Sequence, residues 1–395
     1  MRILMITLGS LGDLLPFLTV GQALRARGHE VSLGTSSQLV RYVREAGFDC
    51  SSIFDGVPPQ HPTEDARCRE LNRAWALEWE RVLAPALAPT YELIRDRSQQ
   101  DTVVVAHWAA FGARLAEEKL GVPSCTVYLS PEILNACDET RTLEPGWRGF
   151  SEDEVFGPLL NRYRDDLGLP PVDHICSRWV HSPRQGLALF PEWFRGRQPY
   201  WPAQVTLTGF VTSDDPLMPT SMQRVEAFLG TGVPPIVFTP GIGTQSAETF
   251  FKESLSACAA LGARAILLTP FSAQVPRDLP PWATHVDYIP LYTLLRRSAA
   301  IVHHGGIGTC AQAIRAGVPQ LVAPMAWDQF DNAQHVRALN LGVSVPMKDY
   351  REDVVTDKLI QLLSGNGIRH ACQHLAGQFA RNNPLDSICE VIERL

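Results

Sequence analysis

Short apolar runs alternate with amphipathic stretches along the first half of the chain. "RILMITL" is short and continuously apolar, the pattern of a strand buried on both faces. In "LPFLTVGQALRARG" the apolar residues recur at helical spacing, and Gly28 supplies a C-terminal stop. "HEVSLGTS" predicts a second strand, and "QLVRYVREAG" a second helix closed by Gly47. Further on, "DTVVVAH", "AAFGARLAEEKLG" and "PSCTVYLS" repeat the order strand, helix, strand. Such alternation predicts a parallel sheet covered by helices on both faces.

The pattern falters in a Pro-rich stretch from about Pro199 to Pro219 and then restarts. "PPIVFTPGIGT" predicts a strand and a glycine turn, followed by the helix "AETFFKESLSACAALG" and the strand "RAILLT". "THVDYIP", "AAIVHHGG", the helix "TCAQAIRAG", the strand "PQLVAP" and the helix "QFDNAQHVRALNLG" continue it. The expectation is α/β: two Rossmann-like, doubly wound parallel-sheet domains. They span residues 1–210 and 226–380, joined by a linker over 211–225 with a hinge near Pro216. The last segment, 381–395, contains "SICEVIERL", a helix with no following strand that is expected to return to the first domain. Two such domains are expected to point the carboxyl ends of their strands into one cleft.

One insertion breaks the alternation. From Val57 to Pro89, "LNRAWALEWERVLAPALAP" carries Trp75, Leu77, Trp79, Val82 and Leu83, and Pro85 and Pro89 are expected to break the helix. It reads either as a helix packed on the first sheet or as the wall of an apolar pocket. "PEWFRGRQPYWP" reads mainly as packing.

Composition narrows the classes. The chain has 395 residues, enough for large cores, and a net charge of -7, which speaks against nucleic-acid binding. Its 9 cysteines are scattered with no C-x-x-C pair, which fits a reducing compartment better than a disulfide framework or zinc site. The N-terminus opens on a strand-like run, and no apolar run is long enough for a bilayer span. A cytoplasmic protein is expected, with peripheral membrane contact left open.

Candidate chemistry lies in two turns. In "TLGSLGDLLPFL", Asp13 follows the first strand at the start of a helix. It is either a helix cap or a general base at the carboxyl end of a sheet strand, where open α/β sheets bind ligands. In "AAIVHHGGIGTCAQAIRAG", a strand ends on His303-His304, then glycines, then Thr309 at a helix start. Glycines allow close backbone approach, and a helix N-terminus offers free N–H groups to a phosphate. "PQLVAPMAWDQ" then delivers Asp328 and Gln329, a carboxylate and a carboxamide suited to adjacent sugar hydroxyls. Asp328 also reads as a cap of the next helix. His303 reads as core, as does His181, and His107 reads either as core or as an acceptor contact. A nicotinamide dehydrogenase would need G-x-G-x-x-G and an acid ending the second strand; the turn here is G-x-x-G-D and "VSLGTS" ends without an acid.

"HHGGIGT…AGVPQLVAPMAWDQFDNA" resembles the donor-binding signature of family 1 glycosyltransferases, which have the GT-B fold, and "GSLGDLLPFL" resembles the first turn of their bacterial members. Within the family, "RWVHSP", "LFPEWF", "LTGF", "VFTPG" and "DQFDNA" are most similar to the rhamnosyltransferases of rhamnolipid synthesis. The resemblance implies an inverting, metal-independent transfer of a sugar, rhamnose favoured. The donor would be a nucleoside diphosphate sugar, dTDP- or UDP-linked, acting as cosubstrate, with no cofactor. The acceptor would be an apolar molecule or lipid such as a hydroxy fatty-acid ester. Glucosyl or deoxysugar transfer to a polyketide, carotenoid or sterol is the alternative, and a catalytically dead sugar-nucleotide-binding module the non-enzymatic one. By resemblance Asp13 is the base that deprotonates the acceptor, where many members carry a histidine. His304, Gly306, Gly308 and Thr309, with Gly241 and Thr244, would hold the diphosphate. Asp328 and Gln329 would hold the sugar, and backbone groups at Tyr288 and Ile289 the base. The tryptophan that plant members place under the nucleobase has no equivalent here. Trp75, Trp79 and His107 are the candidate acceptor contacts.

Overall fold

A computed structural model of the protein describes residues 1–55, 71–138, 152–213 and 222–395. They form two compact units, one within Met1–Pro59, Glu70–Val211 and Asn383–Leu395, the other within Thr212–Asn382.

The first unit is built on seven strands: β1 (Arg2–Ile6), β2 (Glu30–Ser36), β3 (Asp49–Phe54), β4 (Thr102–His107), β5 (Ser124–Tyr128), β6 (Gln185–Ala188) and β7 (Val205–Leu207). Their order is β3-β2-β1-β4-β5-β6-β7, and every pairing is parallel. The central strands carry the short apolar runs and are buried almost throughout, as a sheet covered on both faces requires. β3, β6 and β7 carry no strand pattern of their own in the sequence. They are short or mixed in polarity, and pairing with a formed neighbour defines them.

Residues 57–70 of the insertion lie outside the described residues, and the part from Leu71 on is one helical stretch. Helix Leu71–Glu78 passes into a π-helical turn, Trp79–Leu83, and then into helix Ala84–Arg97. Pro85 and Pro89 therefore do not break it, contrary to expectation. A proline ring clashes with the carbonyl four residues earlier; the widened π turn ahead of Pro85, where the Ala84 N–H reaches back to the Trp79 carbonyl, relieves that clash. The final helix, Pro384–Glu393, packs on helix Leu11–Ala26. Ile388 and Ile392 face Met5, Phe17 and Val20, and Arg27 clasps Glu393 through Nε (2.8 Å) and Nη2 (2.7 Å).

The second unit has six strands: β8 (Ile236–Thr239), β9 (Ala265–Leu268), β10 (Ala283–Val286), β11 (Ala300–His303), β12 (Gln320–Val322) and β13 (Gly342–Ser344). Their order is β10-β9-β8-β11-β12-β13, again all parallel. Helix Met222–Leu229 begins inside the stretch expected to be linker, and its Val225 is buried in the core with Val237, Ile266 and Leu294. Pro216 lies outside the described residues. No described helix is long and apolar enough to cross a membrane.

Candidate functional site

Both sheets reverse their strand order at one point. In the first, the chain steps outward from β1 to β3 and then returns to the other side of β1 with β4. In the second, the same reversal separates β8 from β11. Ligands of open α/β sheets bind outside the carboxyl ends of the strands at such a switch point.

Asp13 sits beside the first of these points, in the first turn of helix Leu11–Ala26. Its Oδ2 accepts from the Ser10 backbone N–H (2.7 Å) and from Ser10 Oγ (2.8 Å), while Ser10 Oγ accepts from the Gly12 N–H (3.2 Å). This is a reciprocal capping box, so Asp13 does cap its helix. Both contacts go to one carboxylate oxygen, which fixes the orientation of the other. Gly9 makes room for this: its φ is +105°, and a Cβ there would lie 2.5 Å from Asp13 Oδ2.

His107 ends β4, the strand next to β1. Burial pulls its pKa down, against the opposing pull of the Asp13 charge, so the ring is neutral near pH 7. Its Nδ1 is buried and has no hydrogen-bond partner among the described residues. Trp75 packs edge-on against Trp108, ring centres 5.7 Å apart, and Trp108 packs on His107 at 5.6 Å. Trp79 is placed differently. It is 8% exposed, between Phe111 (5.7 Å) and Phe156 (5.0 Å), and serves the aromatic core of the unit. Tyr128 Oη and His181 Nδ1 are hydrogen-bonded at 2.8 Å in the interior.

In the sequence Glu78 looks like any charged position on an amphipathic helix. The fold half-buries it. Burial first, and the Asp13 charge second, push its carboxyl up to about 8.

In the second unit, the turn after β8 and the loop after β11 meet at the ring of His304. A Cβ on Gly241 would lie 2.9 Å from His304 Cε1, and one on Gly306 would lie 2.6 Å from Nε2. Gly306 caps helix Ile307–Ala316, and no side chain caps that end. The first-turn N–H groups of Ile307, Gly308 and Thr309 have no carbonyl one turn earlier in the helix to pair with. Nothing lies within 4 Å of where a Gly308 Cβ would be. Uncapped N–H groups with open space before them form an anion site. Burial lowers the His304 pKa to about 4, so it meets a ligand as a neutral ring.

His303 does not take part. Its Nδ1 accepts from the Gly305 N–H (3.1 Å), so the proton sits on Nε2, which donates to Gln320 Oε1 (3.0 Å) in the core. The Thr244 hydroxyl donates to the Pro240 carbonyl (2.8 Å), closing the first turn; its proton is thereby spent, and only the turn's backbone can give donors to an anion.

Asp328 heads helix Gln329–Ala338, yet its side chain makes no capping bond. Its Oδ2 accepts from Asn332 Nδ2 (2.9 Å), and the same Nδ2 donates to the Gly305 carbonyl (2.9 Å). Asn332 ties the glycine loop to the carboxylate, a role hidden in "DQFDNA" until the loop and helix meet. Gln329 Oε1 accepts from the Met325 (2.9 Å) and Ala326 (3.2 Å) N–H groups, so its amide N–H groups are what it has left to offer a ligand. Trp327, just before Asp328, adopts φ +50°, a strained setting for a bulky residue. Ile289 is buried in the core and Tyr288 half-buried, in the loop following β10. The described residues contain no group of three or more His, Cys, Asp or Glu able to hold a metal.

Residues 3–137 match the glycosyltransferase family 28 N-terminal domain, and residues 253–395 match the erythromycin biosynthesis protein CIII-like C-terminal domain. The chain belongs to the family 1 glycosyltransferases. This glycosyltransferase is 29% identical over 414 residues to the O-mycaminosyltylonolide 6-deoxyallosyltransferase of Streptomyces fradiae, covering 100% of this chain and 97% of the relative. It is 27% identical to the vancomycin aglycone glucosyltransferase of Amycolatopsis orientalis, covering 87% of this chain and 86% of that one. The spinosyn rhamnosyltransferase SpnG, solved with thymidine diphosphate, superposes with a TM-score of 0.74 at 20% identity, covering 100% of both chains. The fold of the glycosyltransferase is thus GT-B.

Proposed function

We propose that this glycosyltransferase moves a deoxysugar, rhamnose favoured, from its thymidine diphosphate donor to a hydroxyl of an apolar acceptor, inverting the anomeric centre and using no metal. The observation that carries the donor half is the uncapped helix start at Gly306–Thr309 beside the neutral His304 ring. Those N–H donors stabilise the charge that grows on the departing diphosphate. Asp328, held by Asn332, is the acceptor for sugar hydroxyls, and Gln329 adds N–H donors. Thymidine diphosphate in the SpnG structure and a 6-deoxysugar in the name of the Streptomyces fradiae relative support this donor class.

The acceptor half rests on Asp13. An alcohol must lose its proton as it attacks, and Asp13 is the oriented carboxylate at the first switch point. The acceptor class favoured by the sequence motifs is a hydroxy fatty-acid ester, with Trp75 and His107 near its site. The names of the relatives favour a second reading, a macrolide-like or other natural-product aglycone.

The test is incubation with thymidine diphosphate rhamnose and glucose against a panel containing methyl 3-hydroxydecanoate and a macrolide aglycone, with products identified by mass spectrometry. Transfer is expected to survive EDTA. Asp13→Asn is expected to lower kcat by about 100-fold or more while thymidine diphosphate affinity stays within a factor of two or so. A rate near wild type in that variant would leave Asp13 only its capping role. Donor binding without transfer to any acceptor would make the protein a binding module.

A further inference from the structure

We propose that Asn332 is a positioning residue that aims the glycine loop at the donor's diphosphate and Asp328 at its sugar, so that the two parts of the donor are recognised together. The proposal rests on the reading of the Gly306–Thr309 turn and Asp328 as the donor site.

Asn332 is fully buried, in the first turn of helix Gln329–Ala338, and its backbone N–H donates to the Asp328 carbonyl at 2.8 Å. Four residues apart on one helix, the two side chains are neighbours. A carboxamide carries two N–H groups on one nitrogen. Here one goes to the Gly305 carbonyl and the other to Asp328 Oδ2, each at 2.9 Å. Turning the amide over would set its oxygen against a carbonyl and a carboxylate, with no proton among the three. The neighbours therefore fix its orientation. Oδ1, on the far side, is buried and has no hydrogen-bond partner among the described residues. An unpaired buried oxygen costs stability. Packing alone does not call for a side chain with that cost; the two N–H bonds do.

The Gly305 carbonyl belongs to the same planar peptide unit as the Gly306 N–H, and the two point in opposite directions. Drawing the carbonyl toward Asn332 therefore turns the Gly306 N–H away from it. Among the described residues this N–H has no hydrogen-bond partner. It joins the first-turn N–H groups of Ile307, Gly308 and Thr309 at the anion site. The other side of Gly305 is held as well. Its N–H donates to Nδ1 of the fully buried His303 (3.1 Å). The Cys310 thiol also reaches the Gly305 carbonyl, at 3.7 Å, as a weaker donor. Glycine is the residue most free to leave a backbone setting, so this clamp is what keeps the peptide in place. Because one amide nitrogen holds both the peptide and Asp328, neither can turn independently of the other. A sugar diphosphate then meets groups already in register, which spares it the cost of ordering them on binding.

Two variants of the whole protein remove the amide. Asn332→Leu fills the space with an apolar side chain. Asn332→Ala leaves room for water, and keeps the test open should the leucine variant not fold. Amide hydrogen exchange is read by mass spectrometry at saturating thymidine diphosphate, so that affinity drops out. In wild type the nucleotide is expected to slow exchange in residues 305–309 by about 10-fold or more, and in the variants that protection should be mostly lost. Calorimetry then gives the ratio of affinities for thymidine diphosphate rhamnose and thymidine diphosphate, with the glucose donor in parallel. Asp328→Ala is expected to shift this ratio against the sugar donor by about 10-fold. Asn332→Ala should shift it the same way, and the double variant should go no further than Asp328→Ala alone, within a factor of two or so. A packing role would lower Tm and leave protection and ratio at their wild-type values. That result, or shifts that add in the double variant, would overturn the proposal. A normal ratio in Asp328→Ala would instead sink the sugar-contact reading, and an absence of protection in wild type the diphosphate reading, each taking its half of the proposal with it.

Discussion

Replacing Gly305 by alanine tests whether the glycine loop is held by packing as tightly as its geometry implies. Gly305 has φ +102°, a region that L residues enter at a cost of about 1–3 kcal/mol. Its Cβ would stand 2.8 Å from Val322 Cγ1 and 3.1 Å from the Gln329 carbonyl oxygen. Val322 is 0% exposed, in β12, and a backbone oxygen cannot swing aside, so relief requires the loop itself to move. Overpacking of that kind costs about 1–3 kcal/mol more. The sum is about 2–6 kcal/mol, which for a domain of this size lowers Tm by roughly 5–20 °C. Because Asn332 joins the Gly305 carbonyl to Asp328, the same shift should weaken donor binding. Scanning calorimetry with and without thymidine diphosphate measures both. Two controls bracket the result. Gly377→Ala lies in helix Asn366–Ala380 with no atom within 4 Å of the new Cβ, and is expected to gain up to about 1 kcal/mol. Gly308→Ala has the same open surroundings, so it should fold normally yet bind thymidine diphosphate more weakly, since its methyl occupies the space a phosphate would take. A Gly305→Ala protein melting within about 2 °C of wild type, with normal nucleotide affinity, would refute the packing argument.

His304→Ala should weaken thymidine diphosphate and the intact sugar donor alike, since a donor to the phosphate is lost. Asp328→Ala should spare the free nucleotide and weaken only the sugar donor; calorimetry that finds equal losses for both ligands removes the sugar-contact assignment. At the other end of the chain, Arg27 first and His29 second hold the Glu393 carboxyl down at about 2. A depressed carboxylate stabilises the fold above its unfolded value and loses that effect as pH falls through the folded one. The Tm gap between wild type and Glu393→Gln should therefore be full at pH 6, close between about pH 4.5 and 2, and shrink with salt, since these groups face water. A gap that is independent of pH would show that packing of Ile388 and Ile392 alone holds the last helix.

The short apolar strands, the helix stops at Gly28 and Gly47, and the restart of the pattern after Pro219 are written in local periodicity, and so is the α/β class. The same holds for the phosphate-type turn at "HHGGIGT", because a strand, a glycine run and a helix start are all contiguous there. Partnerships between distant segments are different. That Asn332 binds the Gly305 carbonyl depends on a loop and a helix 27 residues apart. That the Thr244 hydroxyl is spent on Pro240, and His303 on Gln320, is decided by which turn closes on which strand. The same apolar letters at Trp75 and Trp79 meet different partners, Trp108 for one and the Phe111–Phe156 cluster for the other. Glu78 shows the limit most plainly. Its charge state follows from desolvation and from Asp13, 65 positions earlier in the chain. Periodicity encodes which face of an element turns inward. The dielectric and the neighbouring charge that a side chain meets there exist only once the sheet has brought β1, β4 and the helix beside them together.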